Sequence, residues 1–159
     1  MVSGLLYYKL KDFEIAGYTG IDLANNAIES AQKYFNSPED QKKAVFLSEN
    51  LLETKFPDFD AAVALGVLDW LSPEEVDRLF KKITPKQFLF AISEKTISLS
   101  RWIHAIYVYF AYGWKTNGYV PQYYLMDKII RIAKTNGYEE VQVFRHKKLR
   151  FGAFLHKLN

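Results

Sequence analysis

The sequence predicts an α/β fold, with a mostly parallel sheet and one antiparallel strand near the C-terminal end. Short apolar runs typical of strands alternate along the chain with segments whose apolar residues recur at helical spacing. The last two runs flank a polar turn, which indicates an antiparallel pair. Because no linker, repeat or low-complexity tract divides the 159 residues, we expect a single domain over residues 1–159.

Capping and turn signals set the boundaries of the elements in the first half of the chain. Asn25 or Asn26 is a candidate N-cap, and Asn26 with Glu29 has the spacing of a capping box. The stretch 36–38 is typical of a turn, and the SPEE sequence at 72–75 is a strong helix start. The predicted elements are a helix at Leu5–Phe13, a strand at Tyr18–Leu23, a helix at Asn26–Phe35, strands at Lys43–Ser48 and Phe59–Leu65, and a helix from Ser72 to Ile83.

The strands near the middle of the chain have the composition of a buried sheet. The run Phe59–Leu65 is nearly continuous in apolar residues, as expected of a strand buried on both faces of a parallel sheet. A later helix is predicted to end at Asn136-Gly137, a good C-terminal cap. The remaining predicted elements are a strand at Lys86–Ser93, an aromatic helix at Leu99–Tyr112, a helix at Tyr123–Lys134, and strands at Glu140–Phe144 and Leu149–Leu155.

Composition excludes several classes of function. The formal net charge of +3, with scattered basic residues, does not predict a nucleic-acid partner. The absence of cysteine excludes disulfides, thiolate zinc sites and a cysteine nucleophile, and fits a reducing compartment. The N-terminus has no basic segment followed by an apolar run, and the longest apolar stretch is too interrupted to span a bilayer. We therefore expect a cytoplasmic protein without a transmembrane segment.

Residues that directly follow the predicted strands are the candidates for ligand contacts, because open parallel sheets bind ligands at this edge. Asp22 follows the first strand, and a carboxylate there can accept two hydrogen bonds from a ribose diol. An acid favoured by the dipole of the next helix is an equally good interpretation of Asp22. Glu49, Asn50 and Leu51 follow the second strand, and Gly66, Val67 and Leu68 the third. Taken singly, Asn50 and Gly66 are more typical of ordinary loops.

The order of these segments resembles class I, Rossmann-like, S-adenosylmethionine-dependent methyltransferases. YTGIDLANNAIESAQ is similar to the second strand and helix of that family, and KQFLFAISEK to its fifth strand. The segment between them resembles the third strand, the fourth strand and the following helix, and the tail resembles the last two strands. The resemblance implies S-adenosylmethionine as cofactor, with its ribose held by Asp22. It implies contacts by Leu23, Glu49, Asn50, Leu51 and the Gly66–Leu68 loop, with Asn50 at the position of the family's adenine-binding acid.

The resemblance also implies that the front of the cofactor site is missing. The family opens with a central strand and a glycine-rich loop, and here Gly4 alone would match the loop's last glycine. The strands Tyr18–Leu23 and Phe59–Leu65 would then face a gap with unpaired backbone groups. We favour an N-terminally truncated sequence over a naturally short relative. Direct pairing of the two strands, or a strand from another chain, are the alternatives.

Acceptor-side residues are less well defined, and no catalytic residue is assigned. Trp70, His104, Tyr107 and Tyr124 are the candidates, and no metal site is predicted. The aromatic segment 102–124 has three interpretations: a pocket for a flat or hydrophobic acceptor, a helix facing the core, or a surface for another subunit or a membrane edge. The third interpretation, a surface for another subunit, includes a homo-oligomer formed through this segment.

Methyl transfer to a small or hydrophobic molecule is the leading functional hypothesis. Such catalysis rests mainly on bringing the acceptor to the methyl group. The alternative is a non-catalytic, truncated methyltransferase-like domain that serves as a structural or interaction module. A nicotinamide-dependent oxidoreductase also uses an acid at a strand end, but the sequence has no GxGxxG motif.

Overall fold

The chain folds into two compact units, residues 1–55 and 56–159. The computed structural model describes residues 5–83, 86–95, 99–112, 122–138, 140–146 and 152–157. In the first unit the elements are α1 (Leu5–Leu10), β1 (Tyr18–Asp22), α2 (Asn25–Tyr34), α3 (Pro38–Lys43) and β2 (Ala44–Ser48). The second unit contains β3 (Ala61–Ala64), a 3-10 turn (Leu68–Trp70), α4 (Pro73–Lys82), β4 (Gln87–Ser93), α5 (Leu99–Tyr112), α6 (Met126–Thr135), β5 (Gln142–Arg145) and β6 (Gly152–Lys157).

The sheet of the first unit is a parallel pair, β1 with β2. Its register runs from Tyr18 opposite Ala44 to Asp22 opposite Ser48. Both strands therefore end at the same edge, as the sequence predicts. The residues that follow them are brought side by side at that edge.

The core of the first unit is aromatic and centres on Tyr7, which is 1% exposed. The Tyr7 ring meets the Phe35 ring edge-on, with the centroids 4.9 Å apart. Its hydroxyl donates to the Asp40 carboxylate at 3.0 Å, which ties α1 to α3. Burial, reinforced by the Asp40 carboxylate, raises the pKa of Tyr7. The core cluster consists of Tyr7, Ile28, Ala31, Phe35 and Phe46.

Three boundaries of the first unit differ from the sequence predictions. The predicted N-cap at Asn25 or Asn26 is wrong, because α2 starts one residue earlier with Ala24 as its N-cap. Asp22 accepts the Ala24 amide at 2.9 Å and so turns the chain into the helix directly after β1. The turn predicted at 36–38 is followed by the short helix α3, capped by the Ser37 side chain. The first helix ends at Leu10 rather than at residue 13.

The second unit contains a four-stranded sheet in the order β3-β4-β6-β5. β3 and β4 are parallel, whereas β6 runs antiparallel to both of its neighbours. Three strands thus share one direction, and β6 is reversed. This arrangement confirms the predicted fold class, including the antiparallel strand near the C-terminus.

The prediction that the third strand is buried on both faces is wrong. β3 spans only Ala61–Ala64, and Val63 is 40% exposed. Among the described residues, β3 pairs with β4 only, and β1 pairs with β2 only. A strand with one neighbour leaves part of its surface open, whatever its composition. The alternative in which β1 and β3 pair directly is not found, since they belong to separate sheets.

The C-terminal part confirms the predicted antiparallel pair with shifted ends. The strands cover Gln142–Arg145 and Gly152–Lys157 rather than residues 140–144 and 149–155. α6 begins at Met126, later than predicted, because the backbone of Tyr124 is bonded to the end of β4. Gly137 has a φ of 85°, which fits its predicted role after the end of α6.

Helices α4 and α6 bury their apolar faces in the core of the second unit. α4 begins at the predicted helix start with a capping box, in which Ser72 and Glu75 each accept the other's backbone N–H. Between the two helices, the Asn136 amide donates to Asp77 at 2.8 Å. The buried residues of this core include Val76, Leu79 and Phe80 from α4, Phe88, Phe90 and Ile92 from β4, and Ile129 and Ala133 from α6.

Candidate cofactor and acceptor sites

The edge where β1 and β2 end carries the first group of candidate residues. The Asp22 carboxylate lies at the end of β1, where its Oδ1 accepts the Ala24 amide. The backbone carbonyl of Asp22 accepts the Glu49 amide at 3.2 Å. The strand register therefore fixes Glu49 directly beside Asp22. Leu23 projects beyond this edge with 75% of its surface exposed.

Asn50 organises the turn that follows β2. Its Oδ1 accepts the Leu52 amide at 3.0 Å, and its backbone carbonyl accepts the amide of Thr54 at 2.9 Å. The Thr54 hydroxyl donates to the same carbonyl at 2.9 Å. The bond from the Leu52 amide orients the exposed Asn50 side chain, and the two bonds from Thr54 hold its backbone. Leu51, the next residue, is half-buried. The first unit thus presents two acids and an amide on neighbouring strand ends.

The loop after β3 carries the second group, within the other unit. Gly66 has a φ of 70°, a backbone conformation that side chains with a Cβ rarely adopt. A Cβ added at Gly66 would have no other atom within 4 Å. The reason for glycine at this position is therefore the positive φ and not a lack of space for a side chain. Val67 is half-buried, whereas the Leu68 side chain is fully buried. Leu68 therefore offers only its backbone to a ligand.

Asp69 joins this loop to the end of β4, a role that the sequence analysis missed. Its carboxylate accepts the Ser93 amide at 2.7 Å and the Ser93 hydroxyl at 2.9 Å. Its backbone carbonyl accepts the Gln122 amide at 2.6 Å. A single residue thus bonds to two other chain segments. The sequence shows an acid in the loop after β3. It does not show what this acid bonds to, because Ser93 and Gln122 are more than 20 residues away along the chain.

Tyr124 completes the same junction and is 3% exposed. Its hydroxyl donates to the backbone carbonyls of Leu68, at 3.0 Å, and Leu71. Its amide donates to the Ser93 carbonyl at 2.9 Å, and its own carbonyl accepts the Lys95 amide. We therefore assign Tyr124 a structural role, since its side chain is buried and its hydroxyl is bonded to the backbone.

Replacing Asp69 with alanine is expected to lower the free energy of unfolding by about 2–3 kcal/mol, because the buried Ser93 hydroxyl loses its charged partner. Chemical denaturation of the two proteins measures the change. Asp58→Ala removes an exposed acid in the same unit and serves as the control. An Asp69→Ala protein as stable as the unchanged chain would show that the junction does not stabilise the fold.

Glu94 forms a two-point ion pair with Arg145 beside this junction. The two nitrogen–oxygen distances are both 2.8 Å, and the pair links the end of β4 to β5. The Arg145 guanidinium lowers the pKa of Glu94, although partial burial acts in the opposite direction. The ion pair therefore stabilises the fold fully at pH values above 4.5, the ordinary pKa of the carboxyl group. This stabilisation is lost as the pH falls through the lowered pKa of Glu94.

Glu94→Gln is accordingly expected to cost about 0.5–1 kcal/mol at pH 7, a small value because Arg145 is half exposed. The difference from the unchanged chain should be smaller at pH 3 than at pH 7, because the charge of Glu94 is lost as the pH falls through its lowered pKa. Urea denaturation at pH 7, 5 and 3 measures this trend. A difference that is constant across the three pH values would contradict the electrostatic origin.

The remaining acceptor-side candidates lie on or near α5 and the 3-10 turn. Trp70 is half-buried in that turn, and Tyr107 lies on α5 with 60% of its surface exposed. His104 is also on α5, but its side chain lies outside the described residues, as does the whole of Gly4. The interpretation of α5 as a helix facing the core is wrong for most of its described side chains, which are exposed.

No group of three or more His, Asp or Glu side chains in the described part of the chain is arranged to hold a metal ion. Of the helices that the structure describes, none combines the length and apolarity needed to cross a membrane.

Comparison with protein families identifies the chain. The family model described as "Methyltransferase domain" matches residues 2–84. This chain belongs to the methyltransferase domain family. The matched range includes Asp22, Asn50 and the Gly66–Leu68 loop of this methyltransferase domain, but not α5. Among curated protein sequences, none matches the chain.

Solved structures share the fold of this methyltransferase domain at low sequence identity. The methyltransferase domain of a bacterial Hen1 protein has a TM-score of 0.66 at 14% identity, covering 98% of this chain and 84% of the other. A methyltransferase from Methanosarcina mazei has a TM-score of 0.66 at 18% identity, covering 97% and 86%. Human N-acetylserotonin methyltransferase, solved with S-adenosylmethionine, has a TM-score of 0.68 at 13% identity, covering 98% and 46%.

Proposed function

We propose that this chain binds S-adenosylmethionine and transfers its methyl group to a small or hydrophobic acceptor molecule. One observation carries the proposal: the parallel register puts Asp22, at the end of β1, opposite Ser48, at the end of β2, which Glu49 and Asn50 follow. A carboxylate at one strand end, with two polar side chains after the neighbouring strand, fits a nucleoside with its ribose diol and its adenine amino group.

Asp22 is the proposed ribose ligand. Its Oδ1 accepts the Ala24 amide at 2.9 Å, which fixes the carboxylate at the end of β1. A carboxylate at this position can accept hydrogen bonds from the two hydroxyl groups of a ribose. The exposed Leu23 side chain would supply an apolar contact next to the sugar.

Asn50 is the proposed adenine ligand, with Glu49 beside it. Its carbonyl oxygen already accepts the Leu52 amide and retains a second lone pair for the adenine amino group. The half-buried Leu51 would contact the adenine ring. A cofactor contact by the Gly66–Leu68 loop, which the family resemblance implies, stays a prediction.

Methyl transfer needs little covalent chemistry from the protein. A lone pair of the acceptor forms a bond to the methyl carbon as the carbon–sulfur bond breaks, and the electron pair of that bond stays on sulfur to give S-adenosylhomocysteine. The chain would accelerate this step mainly by holding the two molecules in line. Trp70, Tyr107 and His104 are the proposed acceptor-side residues, and no general base is assigned.

Formation of S-adenosylhomocysteine tests the proposal. The chain is incubated with S-adenosylmethionine and a panel of small phenols, amines and carboxylic acids, and the product is quantified by mass spectrometry. Product that depends on one acceptor class and falls sharply in Asp22→Ala would support the proposal. Asp12→Ala, which changes another acid of the same unit, is the control.

A non-catalytic module is the second candidate function. The observation that favours it is that β1 and β3 each have a single paired neighbour among the described residues. Such strand edges can take up a further strand from another chain. Binding of S-adenosylmethionine without product across the whole panel would favour this candidate over the enzyme.

A further inference from the structure

A small cavity, here called the β4 cavity, lies at the carboxyl end of β4 in the second unit. Its volume is about 130 Å³, and its walls are mostly apolar. In open α/β sheets, ligands bind beyond the carboxyl ends of the parallel strands, which is the edge where this cavity lies. The residues that line it include Asp69, Ala91, Ser93, Gly152 and Phe154.

The register of β4 and β6 explains why a cavity forms at this place. In this antiparallel pair, Ala91 lies opposite Phe154, and Ser93 lies opposite Gly152. Residues two positions apart on a strand point to the same face of the sheet, so these four residues share one face. Three of the four have a small side chain or none. Open space therefore remains beside the Phe154 ring.

Ser93 supplies a polar group to the wall of the β4 cavity. The residue is 8% exposed, and its hydroxyl donates to the Asp69 carboxylate at 2.9 Å. A hydroxyl group has one proton to donate and two lone pairs that accept. Because a hydrogen bond to a carboxylate is stronger than one to a neutral group, the proton stays directed at Asp69. The Ser93 oxygen therefore offers lone pairs to a ligand, and the ligand must supply the donor.

The size of the β4 cavity limits the body of a ligand to one small ring. An apolar cavity of about 150 Å³ holds a benzene molecule, which is close to the volume available here. Ordered water fits mostly apolar walls poorly, because each water molecule needs about two to four polar partners. The half-buried Phe154 side chain offers a ring-to-ring contact to a flat ligand.

We propose that the β4 cavity binds one-ring molecules that carry an O–H or N–H donor, namely phenols and aromatic amines. The ring packs against Phe154 beside Ala91, and the donor bonds to the Ser93 oxygen. As the seat of the methyl acceptor, the cavity rests on the proposed methyl transfer, whereas binding itself requires neither cofactor nor turnover. In that role it narrows the acceptor to phenols and aromatic amines and excludes carboxylic acids.

Titration of the full isotope-labelled chain with phenol, followed through its backbone amide resonances, tests this site. Phenol at concentrations up to about 20 mM, a range that suits so small a ligand, is expected to shift the amides of Ser93, Ala153 and Phe154. Anisole has the same ring without a donor, and benzoate only accepts hydrogen bonds. Both should bind about 10-fold more weakly than phenol. The titration contains no S-adenosylmethionine, so its outcome does not depend on the proposed function.

Two variants and a control locate the bound phenol. Ala91→Leu fills the cavity and should abolish the shifts. Ser93→Ala removes the accepting oxygen and should weaken phenol binding by about 10-fold. Ala61→Leu makes the same change as Ala91→Leu at an exposed alanine of β3, so it should bind phenol like the unchanged chain. Circular dichroism checks that all four proteins are folded.

Three results would overturn the proposal: amides of Ser93, Ala153 and Phe154 that do not respond to phenol, anisole that binds as tightly as phenol, or an Ala91→Leu protein that still binds phenol. Formation of S-adenosylhomocysteine with phenol as acceptor is measured separately. Phenol that binds in the cavity without giving product would support the site and count against the proposed methyl transfer. Product formed equally well by Ala91→Leu would show that the acceptor binds elsewhere.

Discussion

Replacing Asp22 with alanine is expected to weaken S-adenosylmethionine binding by about 100-fold or more. Hydrogen bonds to a charged group contribute about 1.5–3 kcal/mol each, and the proposed ribose contact has two of them. The Asp22 carboxylate is positioned for this contact by the strand register and by its bond to the Ala24 amide. Isothermal titration calorimetry with S-adenosylmethionine and S-adenosylhomocysteine measures both affinities.

Two further variants separate ribose binding from local structure. Asp22→Asn keeps an oxygen that can accept the Ala24 amide but has no charge, so it should preserve the fold and still lose most of the affinity. Asp12→Ala removes an exposed acid elsewhere in the same unit and should bind like the unchanged chain. Equal affinity of the Asp22→Ala protein and the unchanged chain would exclude Asp22 as the ribose ligand.

Replacing Tyr7 with alanine is expected to lower the free energy of unfolding by about 3–5 kcal/mol. The Tyr7 ring is fully buried and contacts the rings of Phe35, Phe46 and Tyr18. Loss of the ring leaves a cavity, and the Asp40 carboxylate loses the hydrogen bond that it accepts from the Tyr7 hydroxyl. Urea denaturation followed by circular dichroism measures the change.

Two further variants separate the contribution of the buried Tyr7 ring from that of its hydroxyl group. Tyr7→Phe keeps the ring and removes only the bond to Asp40, so it should cost about 1 kcal/mol. Tyr8→Ala removes a tyrosine that is 42% exposed and should cost much less than Tyr7→Ala. If Tyr7→Ala and Tyr8→Ala destabilised the chain equally, the first unit would not be built around Tyr7.

Local sequence signals predicted the kinds of elements well. The capping box at Ser72 and the glycine after α6 both depend on residues close together in sequence. The start of α2 was missed because its N-cap is Ala24, which has no capping side chain and comes before the two asparagines that have the usual capping chemistry. The α3 helix was read as a turn, since its serine–proline start is also typical of turns.

Burial was predicted less well, because it depends on neighbours that are distant in sequence. The apolar run around β3 suggested a strand covered on both faces, but its one described neighbour leaves Val63 exposed. The apolar spacing of α5 did not distinguish a core helix from an outer face. The junction of Asp69 with Ser93 and Gln122 was likewise invisible, since its partners are far apart in the chain.

Titration of the isotope-labelled chain with S-adenosylmethionine, followed through its backbone amide resonances, tests the central claim most directly. We predict that saturating ligand shifts the amides of Leu23 and Glu49–Leu51, which follow β1 and β2. In Asp22→Asn the same shifts should require far more ligand. A folded chain whose amides do not respond, or respond only far from these two loops, would contradict the proposed cofactor site.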